Sequence, residues 1–444
     1  MAEMKMSGGR GRETGAEGHA VSRSCVAGMV KRAHSANLFE GLPRGLKPSR
    51  LTFPRFGISA LWIDRDAHAS NHNLENRILV MRIVFIAALC LIVAACSPAG
   101  DEEAETLASI VADEVTAVME AQGFASVSAV LVTGDTHHIA HFGVLSDGRA
   151  PDNATLYDIG SITKTHTGLI LAQAVGDGLI GLDDPVSDYL PGVQAAVFER
   201  EGVAATIRHL ATHVSGMPQD LACAAPDMPP QARLDCFMAH DEADLRARLT
   251  DMALLDTPGS QYRYSNPGIR LLGYILEDVY DAPFEVLLER LVFARTGQVE
   301  TLFSLNAEQY ARWQIGSHEN GLPVPDASGY FNPAGGLKST APDIARYLAF
   351  YLDDENALAS RALTLLVGQS AGLGRAYVWN SFQLDTEGQY YHSGGTFGTS
   401  AWSSIYPREN LGIFLVTPYV SATAQGDLNG AANRIIARVR TLQR

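Results

Sequence analysis

A serine and a lysine three residues apart offer the chemistry of an activated nucleophile. Ser161 follows Gly160 where a helix-forming stretch begins, and Lys164 lies three residues further along. Side chains at positions i and i+3 of a helix share one face, so the amine can take the hydroxyl proton and make the serine a nucleophile. The positive end of the helix favours both the neutral amine and the alkoxide. The alternative interpretation is a capping serine beside an exposed lysine.

Lysine is scarce in the part of the chain that follows Cys96. Only Lys164 and Lys338 occur there, and every other Lys or Arg position is arginine. A lysine in a region that otherwise uses arginine suggests a role that arginine cannot perform. Loss of a proton near neutral pH is one such role.

Two later stretches carry further polar groups of the kind that an acyl-transfer site needs. They are Tyr264-Ser265-Asn266, after Pro258-Gly259, and His392-Ser393-Gly394-Gly395, in a strand near the end of the chain. With Ser161–Lys164 they resemble the SxxK, YxN and KTG/HxG motifs of the serine β-lactamase and penicillin-binding-protein-like superfamily. The resemblance is closest to the class C β-lactamase-like branch, which includes esterases, D-aminopeptidases and DD-peptidases. It covers roughly residues 104–440, including linking stretches such as GGLKSTAPDIARYL.

The resemblance implies roles for three catalytic residues. Ser161 is expected to be the acylated nucleophile and Lys164 its proton acceptor. Tyr264 matches the proton shuttle that helps to activate serine or water and protonates the leaving group. Without the family, a tyrosine in Tyr-Arg-Tyr is more often a packing residue.

The resemblance also implies the groups that bind substrate. Asn266 matches a side chain that binds a substrate amide or orients the lysine, although an Asn-Pro asparagine alone is often a turn residue. The stretch from His392 through Ser393 and Gly394 matches the substrate-binding strand. The backbone N–H groups of Ser161 and Gly395 match the oxyanion hole, and a bland turn glycine is the alternative for Gly395.

His392 is an informative departure, because many β-lactamases have a lysine at this position as a fixed cation beside the drug's carboxylate. A histidine is largely neutral near pH 7, so its attraction for carboxylate substrates is weaker. It can still donate a hydrogen bond or relay a proton with Tyr264. The departure lowers the expectation of a β-lactamase without excluding penicillin binding.

The elements that must position these residues are short strands at both ends of the chain and helices between them. The patterns predict a helix over 104–122, a hairpin of 126–134 and 137–146, and a helix from Ser161 to about Val175. Residues 181–320 are predicted to be mostly helical. Strands are predicted at 375–384, 389–393, 399–406 and 411–417, followed by an amphipathic helix from about 427.

This order predicts an α/β (α+β) fold with an inserted all-helical domain. The resemblance implies the β-lactamase/transpeptidase-like arrangement, an antiparallel sheet flanked by helices. The predicted catalytic domain comprises 96–180 and 321–444, and the helical domain comprises 181–320.

The start of the chain has the pattern of an export signal. Met81-Arg82, an apolar run from Ile83 to Ala95, and then Cys96-Ser97 are typical of a secretory signal. The ending Val93-Ala94-Ala95-Cys96 resembles the lipobox of bacterial lipoproteins, in which the cysteine is lipidated. We therefore expect 81–95 to be a signal peptide and Cys96 a lipid site. Translation is then expected to begin at Met81, with 1–80 a disordered extension of the gene model. A buried helix or a membrane span is the alternative, but the apolar run is short for a bilayer core of about 30 Å.

Two cysteines remain beyond the signal, Cys223 and Cys236. Outside the cytoplasm they are candidates for a disulfide that closes a loop of about 14 residues and contributes about 3 kcal/mol on the chain-entropy model. Two free thiols are the alternative.

Several other kinds of site are disfavoured. In a strand, His138 lies on the face opposite His137 and His141, so no metal site is expected there. His209 and His213 have helical spacing without an acidic partner for a metal motif, and the family resemblance implies a structural role for this stretch. No GxSxG, GxGxxG or Walker pattern is present, so neither an α/β-hydrolase elbow nor a cofactor is expected. A net charge of -15 argues against a nucleic-acid partner.

The predicted protein is a serine hydrolase that forms an acyl-enzyme on a small-molecule or peptide substrate, either an ester or a D-amino-acid amide. A β-lactamase or DD-carboxypeptidase is the alternative, and a non-catalytic envelope binding protein is the alternative of another class. The expected location is the cell envelope, with a lipid anchor facing the periplasm on the outer membrane of a Gram-negative bacterium. The sequence does not determine the oligomeric state.

Overall fold

The chain divides into two units, residues 1–100 and residues 101–444. A computed structural model describes residues 106–220, 228–238, 242–249, 252–321, 324, 326, 332–368, 371–383 and 388–443, together with the backbone of two strands near the start. In the first unit these strands, β1 (Pro48–Phe53) and β2 (Ile58–Ile63), pair antiparallel. The hairpin differs from the disorder predicted for 1–80, and the β-forming composition of Ile58–Ile63 accounts for it.

The strands of the second unit are β3 Ser126–Thr133, β4 Thr136–Gly143, β5 Tyr157–Asp158, β6 Glu199–Arg200, β7 Val203–Ala204, β8 Ser317–His318, β9 Lys338–Ser339, β10 Val367–Gly368, β11 Gly372–Arg375, β12 Asn380–Gln383, β13 Gly388–Gly395, β14 Ser400–Tyr406, β15 Leu411–Thr417 and β16 Tyr419–Val420. Eight of them form one antiparallel sheet in the order β10-β11-β12-β13-β14-β15-β3-β4. The β3–β4 hairpin therefore joins the sheet beside β15, so the sheet is assembled from both ends of the unit. This confirms the predicted fold class.

Helices cover both faces of this sheet. They are α1 Leu107–Gln122, α2 Thr163–Gly176, α3 Ile207–Ala211, α4 Pro230–Met238, α5 Glu242–Leu249, α6 Asn266–Tyr280, α7 Phe284–Leu287, α8 Ala294–Thr296, α9 Ala307–Arg312, α10 Ala341–Leu352, α11 Ala357–Ala362 and α12 Ala424–Leu442. Single turns of 3₁₀-helix cover Gly160–Ile162, Val186–Tyr189, Ala195–Phe198, Asn332–Ala334 and Pro407–Glu409, and Leu288–Phe293 is a π-helix.

The side chains of β3 alternate between two hydrophobic cores, as the period of a strand requires. Ala129 and Leu131 face the core made with α1 and α12. Val130 and Val132 face the larger core, which also contains residues of α2, α6 and α10. The central strands β14 and β15 are buried along their whole length, so the sheet is the rigid middle layer on which the site is built.

The larger core draws on both predicted domains. Ile170 and Phe414, from the predicted catalytic domain, and Leu210 and Ile269, from the predicted helical domain, belong to one cluster. Residues 101–444 accordingly form one compact unit, and the domain boundaries stay a prediction.

The largest difference in the secondary structure lies at the outer edge of the sheet. The predicted strand 375–384 is observed as β12 and, at Arg375, as the last residue of β11. β10 and the rest of β11 were not predicted. Their glycine content hides them, because glycine is a poor strand former. Val378 has a φ of 70°, a turn conformation that β-branched residues rarely adopt.

Among the described residues, no helix has the length and apolarity to span a bilayer.

Candidate active site

Ser161 is held at the start of α2 by a close approach of two backbone segments. Gly160 has a φ of 50°, and a Cβ there would lie 2.5 Å from the Gly395 backbone nitrogen. A Cβ on Gly394 would likewise lie 2.2 Å from the Ile159 carbonyl oxygen. Glycine is therefore required at both positions, and the contact brings the end of β13 against the turn that carries Ser161.

Lys164 lies one helical turn beyond Ser161, and its Nζ is 2.9 Å from Ser161 Oγ. The ammonium group also donates to the Ala334 carbonyl oxygen, and the side chain is fully buried. Burial lowers the pKa of Lys164 to about 7, against a smaller opposing effect of the Asp220 charge. A substantial fraction of this amine is therefore neutral near pH 7, which a proton acceptor requires.

Tyr264 contacts the same hydroxyl from the other side. Its OH donates to Ser161 Oγ over 2.7 Å, and Lys164 Nζ lies 4.9 Å from the centre of its ring. The loop before α6 holds it, because Ser265 caps that helix and donates to the Pro218 carbonyl oxygen. Burial raises the pKa of Tyr264 far above its usual value, so the phenol keeps its proton and is suited to donate it.

The end of β13 has an open edge beside Ser161. β12 pairs with β13 only as far as Tyr391, whereas β14 pairs with it through Gly395. Ser393, Gly394 and Gly395 therefore lie on an edge that is not paired to β12 and that meets the Ser161 turn. Backbone groups on such an edge can bind an extended acyl substrate.

His392 is buried rather than presented to the cleft, with 2% of its surface exposed. Its Nδ1 donates to the Ser393 carbonyl oxygen over 2.7 Å. Burial, and then the Lys164 charge, lower the pKa of His392 to about 3. The imidazole is neutral at physiological pH, in line with the sequence-based expectation of a weak attraction for carboxylates.

A cleft of about 460 Å³ opens onto Ser161, and Asn266 lines it with Gly395, Ala334 and Phe397. Asn266 Nδ2 donates to Asp220 Oδ1 over 3.1 Å. Asp220 also lines the cleft, and burial raises its pKa. The sequence analysis missed this carboxylate, because nothing local distinguishes it from an ordinary loop aspartate.

His213 is the second residue that the sequence analysis missed, since we interpreted its stretch as structural. It lies beyond the end of α3 with a φ of 59°, and its ring centre is 4.5 Å from that of Tyr264. The Ser265 backbone N–H donates to His213 Nδ1 over 3.2 Å. By contrast, His209 Nδ1 accepts from the Thr206 backbone N–H at the start of α3, which is a structural contact.

The remaining predicted positions lie away from this cluster. In β4, His141 hydrogen-bonds Ser128 and Asn153. In the described part of the chain, no group of three or more His, Cys, Asp or Glu comes together as a metal site. Cys236 on α4 is disulfide-bonded, but Cys223, Cys96 and the signal 81–95 lie outside the described residues, so these predictions stay open.

Comparison with known proteins identifies the family of the chain. The family model described as beta-lactamase matches residues 111–437. The chain belongs to the beta-lactamase family. The predicted superfamily is thereby confirmed, and with it the prediction of an enzyme, a serine hydrolase of this family.

Three of the similar proteins illustrate the activities that their names carry. The D-alanyl-D-alanine-carboxypeptidase/endopeptidase AmpH of Escherichia coli K12 is 24% identical over 384 residues, which cover 82% of this chain and 97% of AmpH. A beta-lactamase of Providencia stuartii is 29% identical over 244 residues, covering 53% of this chain and 58% of that protein. A beta-lactamase/D-alanine carboxypeptidase of Yersinia pestis, crystallised with citrate, has the same fold with a TM-score of 0.65 at 23% identity. That match covers 76% of this chain and 99% of the crystallised chain.

Proposed function

We propose that the protein hydrolyses an ester or a D-amino-acid amide through an acyl-enzyme on Ser161. One observation carries the proposal. Ser161 Oγ lies within hydrogen-bond distance of both Lys164 Nζ, at 2.9 Å, and Tyr264 OH, at 2.7 Å, at the wall of a cleft. A hydroxyl between a base and an acid is the arrangement that acyl transfer requires.

In the acylation step, the neutral Lys164 amine takes the hydroxyl proton while Ser161 Oγ bonds to the carbonyl carbon. The backbone N–H groups of Ser161 and Gly395 hydrogen-bond the resulting oxyanion. Lys164 then passes its proton to Tyr264 as the phenol gives its own proton to the leaving group. The bond to the leaving group breaks, and the acyl-enzyme remains.

In the deacylation step, water repeats the sequence in the opposite direction. Tyr264 and Lys164 together remove a proton from the water as its oxygen bonds to the acyl carbon. The proton returns to Ser161 Oγ when the ester bond breaks. Lys164 and Tyr264 end in their starting protonation states. Each turnover therefore consumes one substrate molecule and one water molecule.

Two substrate classes compete within this chemistry. The neutral, buried His392 offers no standing cation to a carboxylate, which favours esters and D-amino-acid amides over β-lactams. The similarity to a D-alanyl-D-alanine-carboxypeptidase/endopeptidase over nearly its whole length favours a carboxypeptidase as the second candidate. A protein that only binds envelope peptides is the alternative of another class.

The test compares the full chain with its Ser161→Ala variant on p-nitrophenyl butyrate, benzylpenicillin and an acyl-D-alanyl-D-alanine peptide. We expect butyrate ester turnover that falls by about 10³-fold or more in the variant. Release of D-alanine as the main reaction would favour the carboxypeptidase. Equal turnover by both proteins, with both folded, would overturn the proposal.

We also propose that the protein acts in the cell envelope, attached through a lipid on Cys96. The lipobox-like ending Val93–Cys96 supports this. Metabolic labelling with an alkyne fatty acid should tag the wild-type chain in a bacterial host. A Cys96→Ala variant that is still tagged would refute the anchor.

A further inference from the structure

The cleft beside Ser161 has two arginines in its wall. Arg233 and Arg263 both line this space of about 460 Å³, and Asp220 and Asn266 line it with them. The chain as a whole has a formal net charge of -15, so two guanidinium groups at the proposed acyl-enzyme site run against the overall charge. Their surroundings differ, and the difference indicates which of them is suited to bind a substrate.

Arg263 forms a one-to-one ion pair within the protein. Its Nε donates to Asp256 Oδ2, and this hydrogen bond lowers the pKa of Asp256. The backbone N–H of Arg263 also donates to the His213 carbonyl oxygen over 2.7 Å. The positive charge of Arg263 is therefore balanced by a carboxylate of the protein itself.

Arg233 belongs to a group in which cations outnumber the carboxylate that they surround. Burial raises the pKa of Asp220, and its hydrogen bond from Asn266 opposes this effect. The nearby cations that lower the same pKa are Lys164, Arg233 and Arg270. One carboxylate does not neutralise two guanidinium groups, so this part of the cleft wall attracts a further negative charge.

The helix α4 fixes the position of Arg233 in the wall. Leu234 is 4% exposed and holds one face of this helix against the protein. On its exposed face, Gln231 Nε2 donates to Asp235 Oδ1 over 2.8 Å. Arg233 and Cys236 lie three residues apart and therefore share a face, and Cys236 is disulfide-bonded. The guanidinium is thus carried by a helix that a buried leucine and a disulfide both secure.

A carboxylate is the ligand that Arg233 suits best. A guanidinium presents five N–H donors in a planar fork that matches the two oxygens of a carboxylate. The fork has enough donors to serve a group of the protein and a ligand at the same time. Arg233 is partly buried, so water screens such a pair less than it does at the surface. Asp220, in the same wall, repels a phosphate dianion more strongly than a single carboxylate.

The position of the cleft assigns this carboxylate to the acyl part of the substrate. The same cleft is lined by Gly395, Thr396 and Phe397, which continue the open edge of β13 where an extended acyl group can bind. The leaving group is defined by another residue, because Tyr264 gives it a proton. A carboxylate that reaches Arg233 along the cleft therefore belongs to the acyl group.

We propose that Arg233 determines substrate specificity by binding a carboxylate in the acyl part of the substrate. The proposal rests on the proposed function, because this acyl group is the one that Ser161 accepts. His392 is buried and neutral and supplies no positive charge to the cleft, whereas Arg233 supplies one from α4. The substrate class is an ester or amide of an acyl group that carries a carboxylate of its own.

The test uses two pairs of esters that differ by one charge. Mono-p-nitrophenyl adipate has a carboxylate at the end of the acyl group, and p-nitrophenyl hexanoate is its neutral counterpart of equal chain length. Likewise, 4-butyryloxybenzoate has a carboxylate on the leaving group, and 4-butyryloxybenzamide is its neutral counterpart. Wild type should prefer the adipate to the hexanoate by about tenfold or more in kcat/KM, as a charge-assisted hydrogen bond allows.

The charge of Arg233 is removed in Arg233→Gln. In this variant kcat/KM for the adipate should fall by about 30-fold, while the other three esters should stay within about 3-fold of wild type. Arg233→Lys keeps the charge without the fork and should retain part of the preference. Arg290→Gln is the matched control, because it removes one positive charge at an exposed position outside the cleft lining. It should leave all four rates unchanged, and circular dichroism checks the fold of each variant.

Three results would overturn the specificity role of Arg233. They are a wild type without a preference for the adipate, a preference that persists in Arg233→Gln, and equal losses on adipate and hexanoate. A loss confined to 4-butyryloxybenzoate would also overturn it, because the carboxylate would then lie in the leaving group. If Ser161→Ala retained turnover of the hexanoate, the proposed function itself would fail, whatever the Arg233 result.

Discussion

Lys164 and Lys338 are both fully buried lysines, yet their surroundings give them opposite properties. Lys338 Nζ lies 2.9 Å from Asp326 and 3.4 Å from Asp158. Among the described residues no carboxylate lies within ion-pair distance of Lys164, whose contacts are Ser161 Oγ and the Ala334 carbonyl oxygen. Each ammonium lies 4.9 Å from an aromatic ring centre, Tyr264 or Trp313, so the rings do not distinguish them.

Burial alone therefore does not make a lysine a base. Burial without a paired carboxylate disfavours the charged form and lowers the pKa of Lys164 to about 7. Burial with two carboxylates compensates the charge of Lys338 and turns it into a structural cation.

Both lysines connect the same two segments of the chain, residues 158–164 and residues 334–338. Lys164 bonds to Ala334, while β5 and β9 pair Asp158 with Lys338. Asp158 lies three residues before Ser161, and Trp313 Nε1 donates to it over 3.2 Å. The structural lysine therefore anchors the strand that leads into the nucleophile.

We expect Lys164→Arg to cause the greatest loss of activity. A guanidinium cannot accept the Ser161 proton at neutral pH, so kcat/KM for p-nitrophenyl butyrate should fall by about 10³-fold with the fold retained. Steady-state kinetics measure kcat/KM, and circular dichroism checks that the fold is retained. Residual activity above about a tenth of wild type would overturn the assignment of Lys164 as the base.

Lys338→Met should act on stability instead of chemistry. Removing one partner of a buried ion pair costs about 3–5 kcal/mol in the free energy of unfolding, measured by urea titration. Activity per folded molecule should change little. The double variant Lys338→Met with Asp158→Asn should recover part of the loss, and no loss in the single variant would contradict the structural role.

The pH dependence of kcat/KM also distinguishes the two lysines, although the expected change is smaller. Because the folded pKa of Lys164 is about 7, its neutral form grows as pH rises through 7, and kcat/KM should increase about tenfold between pH 6 and pH 8. The same limb should remain in Asp158→Asn, although burial raises the pKa of Asp158 to about 6. A flat profile in wild type would exclude Lys164 as the group that titrates.

The smallest effect belongs to Asp326→Asn. The Asp326 side chain is 41% exposed, so water screens its pairing with Lys338, and the unfolding free energy should fall by about 1 kcal/mol or less. Asp158→Asn, at 12% exposure, should cost more. The reverse order would show that the outer carboxylate is the main partner of Lys338.

The sequence predicted the parts of the fold whose signal is local. The helices α1, α2 and α12 and the hairpin β3–β4 have clear apolar periods, and the structure has them within a few residues of the prediction. The glycine-rich strands β10 and β11 have no such period. They form because β12 offers an edge to β11, and β11 in turn offers one to β10, which is a tertiary effect.

The same distinction holds at the site. The spacing of Ser161 and Lys164 on one helix is local, and Tyr264 was found only through the family resemblance. The contact of His213 with Tyr264 joins residues far apart in the chain, so no pattern near His213 reveals it. The rarity of lysine drew attention to Lys338, but its partner Asp158 is known only from the pairing of β5 with β9.

The most direct test of Ser161 as a nucleophile served by Lys164 is the intact mass of the full chain after brief exposure to p-nitrophenyl butyrate and acid quench. Wild type should carry one butyryl group, and peptide mapping should place it on Ser161. Ser161→Ala and Lys164→Arg should carry none. A butyryl group on another residue, or the same adduct in Ser161→Ala, would contradict the account.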